Sequence, residues 1–133
     1  WRTPSVAVHG PKICITNGYA GSGGDAFPYY FREFKLGKLV GTTTWGGLVG
    51  ISEGVSLLIG GWMSAPSFAF VNPEGEWDVE RLGVDPDIEV IEPPEALRKG
   101  EDPQLDAAIE QMLLELETWE DPVPPRPQVY PQR

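Results

Sequence analysis

Basic residues are scarce in this chain. Its 133 residues carry 10 Lys and Arg against 20 Asp and Glu, a net charge of −10. Nucleic-acid binding needs clustered Lys and Arg along the phosphates, so no nucleic-acid partner is expected. The acids gather between Glu74 and Asp121. They read first as a solvated surface, and more pointedly as a field that attracts cationic peptides. The single cysteine, Cys14, excludes an internal disulfide framework. Its setting, Ile13-Cys14-Ile15, suits a buried structural thiol rather than a reactive one. No apolar run approaches bilayer-spanning length, so no membrane partner and a cytoplasmic location are expected. No His, Cys and carboxylate cluster has metal-ligand spacing, so neither a metal nor a cofactor is expected. The start, Trp1-Arg2-Thr3-Pro4, has no initiating Met and reads as a piece of a longer polypeptide.

What is plentiful is glycine, proline and short apolar runs. Hydrophobic residues make up 41% of the chain, enough for a core. Lys12-Ile13-Cys14-Ile15-Thr16 reads as a buried strand ended by Asn17-Gly18. A glycine-rich turn follows, and Asp25 is placed to cap a helix with Pro28 in its first turn. That helix runs to about Leu36, with Gly37 as its stop. Leu39-Val40-Gly41 reads as the next strand, completing a strand–turn–helix–strand unit of parallel α/β type. After a glycine-rich loop over 42–54, Val55–Ile59 and Ser64–Val71 read as two further strands. Asn72-Pro73-Glu74-Gly75 reads as a turn, and 82–90 as a loop feeding a short strand in which Asp85 and Asp87 shape the turn around Pro86. Asp102-Pro103 opens a helix whose stripe of Leu105, Ala108, Ile109, Met112, Leu113 and Leu116 is expected to pack. Residues 121–133 read as a Pro-rich extended tail.

Ser22 lies at the glycine-rich turn, between a strand and a helix. Glycines there permit a sharp turn and close substrate approach. The N–H groups and dipole at the helix start favour negative charge near the serine oxygen, and the Gly23 N–H is placed to donate to an oxyanion. The turn alone does not separate a nucleophile from an incidental serine. It lacks a phosphate-binding loop pattern and matches the hydrolase elbow only in part, with Ala20 before and Gly24 after.

The stretch Asn17-Gly18-Tyr19-Ala20-Gly21-Ser22-Gly23-Gly24-Asp25-Ala26-Phe27 resembles the nucleophile segment of the tricorn and C-terminal-processing serine peptidases. Val40-Gly41-Thr42-Thr43-Thr44-Trp45-Gly46-Gly47 and the stretch from Asn72 to Val90, with its Gly-Val-x-Pro-Asp core, are similar to two later segments of that family. The resemblance implies an α/β fold of crotonase-like type. It makes residues 1–120 the C-terminal part of a catalytic domain. Ser22 is then the nucleophile and the Gly23 N–H an oxyanion donor. Where the C-terminal-processing branch carries its lysine base, this chain has Gly47, which points to the tricorn branch. There the resemblance assigns Glu80 the supporting carboxylate, acting through a second serine on a base histidine. Such an enzyme hydrolyses peptides through an acyl-enzyme, needs no cofactor, and forms homo-oligomers or docks on the rest of its polypeptide. His9 has no counterpart in those motifs and reads as a turn or surface residue, so the base is expected upstream. Asp25 reads as a helix cap rather than a second catalytic acid. Phe27, Tyr29 and Trp45 are as much cleft walls as core residues. A non-catalytic peptide-binding or assembly domain of the same fold is the alternative. A crotonase-like acyl-thioester enzyme is the third, and it leaves Ser22 without a role.

Overall fold

The computed structural model describes residues 8–51 and 53–120. The tail at 121–133 lies outside the described residues. The elements run in the order β1 (Ile13–Thr16), α1 (Gly23–Glu33), β2 (Lys38–Gly41), β3 (Glu53–Ser56), β4 (Trp62–Ala65), β5 (Ile88–Glu89), α2 (Pro94–Lys99) and α3 (Pro103–Thr118). β1, β2 and β5 form a parallel sheet in that order, with Ile13 opposite Lys38 and Val40 opposite Ile88. β3 and β4 form a separate antiparallel hairpin. No described helix is long and apolar enough to cross a membrane.

The strand–helix–strand unit read from the sequence is present, with its helix shifted. α1 starts at Gly23 with Ser22 as N-cap, so Asp25 is the third helical residue and Pro28 lies inside the helix. The reason is that the Asp25 carboxylate reaches back to the Ser22 N–H at 2.8 Å, satisfying an otherwise orphan donor from within the first turn. The stop is Lys35, not Gly37. Lys35 adopts φ 51, and its N–H and that of Leu36 return to the Arg32 and Phe31 carbonyls at 2.8 and 2.9 Å, a Schellman-type ending. Gly37 serves a different purpose: a Cβ there would lie 1.7 Å from the Lys12 carbonyl oxygen.

The strands read at 55–59 and 64–71 are also corrected. The hairpin turns over 57–61, where Leu57 N–H donates to the Gly61 carbonyl at 3.1 Å and Gly60 and Gly61 take φ 89 and 95. Turn chemistry at the glycine pair overrides the apolar run and leaves Leu58 and Ile59 fully exposed at the tip. β4 ends at Ala65, and Pro66 after it has no ladder donor. Among the described residues only isolated bridges, Gly50 to Phe68 and Val71 to Trp77, continue beyond. The turn at 72–75 closes as read, with Gly75 N–H donating to the Asn72 carbonyl at 2.9 Å. The helix α2, with Gly100 left-handed at its end, was not read from the sequence.

The core is small. Phe31, Leu39, Val79 and Val84 are buried together, with Cys14, Tyr29, Leu48 and Phe70 packed on them. Burial pushes the Cys14 thiol above its ordinary range, consistent with a packing rather than a reactive role. Asp102 caps α3 through the Leu105 N–H at 2.9 Å. The α3 stripe packs on β1 and β2, yet of its residues only Ala108 is buried, while Leu105, Ile109 and Leu113 remain largely exposed.

The sheet places Gly41 under strict limits. Gly41 sits at φ 129, and a Cβ there would stand 2.0 Å from the Thr16 carbonyl oxygen on β1. Gly41→Ala should therefore destabilise the chain by about 2–3 kcal/mol through backbone strain and overpacking, measurable as a lowered thermal or urea midpoint. An unchanged midpoint would contradict this account of the β1–β2 contact.

Candidate active site

The turn between β1 and α1 is built from local hydrogen bonds. Asn17 accepts the Tyr19 N–H on its side chain and the Ala20 N–H on its carbonyl, both at 3.0 Å. This reverses the chain and brings Ser22 to the head of α1. Ser22 is exposed and adopts φ 54, ψ −110, a conformation that costs a non-glycine residue roughly 1–3 kcal/mol. Its own N–H is doubly engaged, by the Asp25 carboxylate at 2.8 Å and by the Gly47 carbonyl at 3.1 Å. The Gly23 N–H, by contrast, has no acceptor among the described residues. The space where a Gly23 Cβ would project is open. The free donor at this helix start is therefore that of Gly23, aimed where the macrodipole favours negative charge.

Two carboxylates hold the facing loop. Asp25, fully buried, accepts the Gly46 N–H at 2.8 Å and the Gly47 N–H at 3.0 Å besides that of Ser22. Glu80 accepts the next two, from Leu48 and Val49, at 2.7 and 2.8 Å, both on Oε2. Four successive amides of one loop thus end on two carboxylates. Hydrogen bonds to ionised acceptors contribute roughly 1.5–3 kcal/mol each. Glu80 itself is set between Val79 at φ 64 and Arg81 at φ 68, with the Arg81 N–H donating to the Gly46 carbonyl at 2.6 Å. A left-handed valine is a true outlier, kept here by a side chain that is 1% exposed. Of the four described non-glycine residues with positive φ, two (Ser22 and Arg81) line one place and Val79 stands next to Glu80 in the chain; the fourth, Lys35, ends α1.

That place is a cavity of about 450 Å³ lined by Ser22, Trp45, Gly47, Val49, Glu80 and Arg81, among others. The structure therefore brings Ser22 and Glu80, 58 positions apart in the chain, to one cavity. Trp45 forms a wall over the glycines. Cβ atoms at Gly21 and Gly47 would lie 2.4 and 2.6 Å from its indole ring. The same contact means that no longer side chain fits at position 47 without displacing Trp45. Phe27 and Tyr29 do not line this cavity: Phe27 packs on Phe31, and Tyr29 packs edge-on against Phe70 at 4.9 Å. His9 is exposed and is not among the cavity residues. Asp85 and Asp87 do more than shape a turn: Asp85 accepts from the Thr43 hydroxyl and Asp87 from the Leu39 N–H, both at 2.7 Å.

Sequence reasoning missed the double grip on residues 46–49 and the reach of Asp25 beyond its own helix. The signal available was an acid three residues after the serine, followed by a Gly-Gly pair in the facing loop.

A model of peptidase family S41 matches residues 2–90. The chain is 45% identical over 124 residues to the tricorn protease of Thermoplasma acidophilum, covering 93% of this chain and 12% of that protein. It is 46% identical over 114 residues to a putative tricorn-like protease C-terminal subunit of Sulfurisphaera tokodaii, covering 86% and 13%. Among solved structures, a crystal structure of the tricorn protease superimposes with a TM-score of 0.80 at 45% identity, over 87% of this chain and 11% of that one. A putative peptidase from Parabacteroides merdae superimposes with a TM-score of 0.63 at 28% identity, over 77% and 32%. The chain thus spans about an eighth of the tricorn proteins it matches. With two thirds of its residues inside the family match, the chain belongs to peptidase family S41.

Proposed function

We propose that residues 1–120 are the C-terminal part of a serine peptidase catalytic domain of crotonase-like fold, followed by an extended tail at 121–133, and that the domain hydrolyses peptide bonds as tricorn proteases do. The observation that carries this reading is the strained, exposed Ser22 beside the free Gly23 N–H, in one cavity with Glu80. In this reaction Ser22 Oγ attacks the scissile carbonyl carbon and its proton passes to a base histidine. The oxyanion is held by the Gly23 N–H, a donor typically worth about 3–4 kcal/mol in the transition state. The histidine returns the proton to the leaving amine, and water then cleaves the acyl-enzyme.

The base histidine is supplied by an upstream segment of the polypeptide. Two observations support this: His9 lies outside the cavity, and the chain matches only an eighth of its tricorn relatives. Glu80 supports that histidine. Its Oε2 is taken by two amides, which leaves Oε1 to accept from the supporting serine. Gly47 fits the same branch, since the Trp45 indole closes the space a lysine base would need. The exposed Leu58, Ile59, Leu113 and Ile109 make apolar surface of the kind that the remainder of the polypeptide or a second subunit covers. Peptides are the substrates, and no cofactor takes part.

A fluorophosphonate probe on the intact protein tests the nucleophile. Ser22→Ala should abolish labelling, and labelling that survives unchanged removes Ser22 from the reaction. Glu80→Gln keeps the shape of the side chain but weakens its grip and its charge. We expect turnover to fall by about 10²–10⁴ with the fold retained by circular dichroism. Wild-type turnover in that variant would remove Glu80 from the mechanism.

A further inference from the structure

Asp25 stands apart from the other described acids. It is 0% exposed, and it lies on the element that carries the nucleophile. Both of its oxygens are spent on backbone donors: Oδ2 takes the Ser22 and Gly47 amides and Oδ1 takes the Gly46 amide. No cation pairs with it among the described residues. A helix cap needs only the first of these bonds. The other two cross to a loop 21 and 22 residues away.

Three consequences follow from this geometry. The Ser22 N–H is withdrawn from the reaction, so an oxyanion at Ser22 must find the Gly23 N–H. The bond to Ser22 opposes relaxation of its φ 54, ψ −110 backbone, which sets the direction of its side chain. The bonds to Gly46 and Gly47 fix the start of a loop whose next two amides seat Glu80. Serine and supporting carboxylate are therefore held on one rigid piece of backbone. Asp25 joins its two ends without itself lining the cavity.

We infer that Asp25 is a positioning residue of the reaction centre, one that aligns Ser22, the Gly23 N–H and Glu80 through the 46–49 loop. The inference rests on the reading of Ser22 as nucleophile. An asparagine at position 25 keeps the shape but turns one oxygen into a donor. In a fully buried site that donor would face an amide N–H of Ser22, Gly46 or Gly47, so at least one bond becomes a repulsion.

The experiment compares wild type, Ser22→Ala and Asp25→Asn in the intact protein, by fluorophosphonate labelling rate, by kcat and KM on a peptide, and by thermal midpoint. Asp25→Asn should stay folded and lose about 100-fold in labelling rate and kcat, as expected for a reacting group misplaced by an ångström. KM should stay within about twofold, because no contact to substrate is removed. A purely structural role would lower the midpoint and leave kcat per folded molecule unchanged. Folded Asp25→Asn that labels and turns over at the wild-type rate overturns the inference, even if Ser22→Ala is inert. Persistent labelling of Ser22→Ala instead overturns the reading beneath it. Should Asp25→Asn not be recovered folded, Asp25→Glu is read by the same split: it restores the charge but displaces the carboxylate by one methylene. Wild-type kcat in that variant overturns the inference.

Discussion

A buried carboxylate surrounded by backbone N–H groups is the constraint on which the rest of this site depends. An ionised group cannot be taken out of water unless its lone pairs are met by donors, and Asp25 has three, all from the main chain. Because main-chain donors cannot rotate away, the demand is answered by bringing two stretches of backbone to one point. The turn at Ser22 and the loop at Gly46–Gly47 are those stretches. Their glycines are the residues that can approach so closely, and the Trp45 indole covers both from above. Glu80 repeats the device on the next two amides, so the loop between Ser22 and Glu80 has no slack.

Strain is distributed accordingly. Ser22, Val79 and Arg81 all hold positive-φ backbone, and two of them are pinned by bonds to the same region: Ser22 to Asp25 and Gly47, Arg81 to Gly46. Val79 is held by its side chain in the core beside Phe31, Leu39 and Val84. The core is small, but it lies directly beneath the strained segment. It supplies the over-determination that such conformations require.

Much of this was legible in the sequence, and the divide is physical. β1, β2, the helix between them, the turn at 72–75 and the α3 cap all announce themselves through nearest-neighbour chemistry: β-branched runs, Asn-Gly, Asp-Pro. What misled was competition between local signals. Leu57, Leu58 and Ile59 read as strand until Gly60-Gly61 turns the chain. Gly37 reads as a helix stop although Lys35 takes the left-handed position and Gly37 answers a contact with Lys12. The site divides the same way. Ser22, Gly23 and Glu80 stood out through motif likeness. The loop amides and the second and third bonds of Asp25 did not, because main-chain donors leave no trace in residue identity.

The spacing of these contacts also bears on how the protein is made. The bonds of the two carboxylates to the 46–49 loop join residues 21 to 32 positions apart, and the parallel pairing of β1 with β2 and of β2 with β5 is itself non-local. Such contacts form late, since loop closure precedes any reward from them. A nascent chain that has passed Ser22 but not Glu80 has the serine without its scaffold. The backbone around Ser22 takes its final shape only once Glu80 has been added to hold the 48–49 amides, so the last residues of this stretch to be made complete the first.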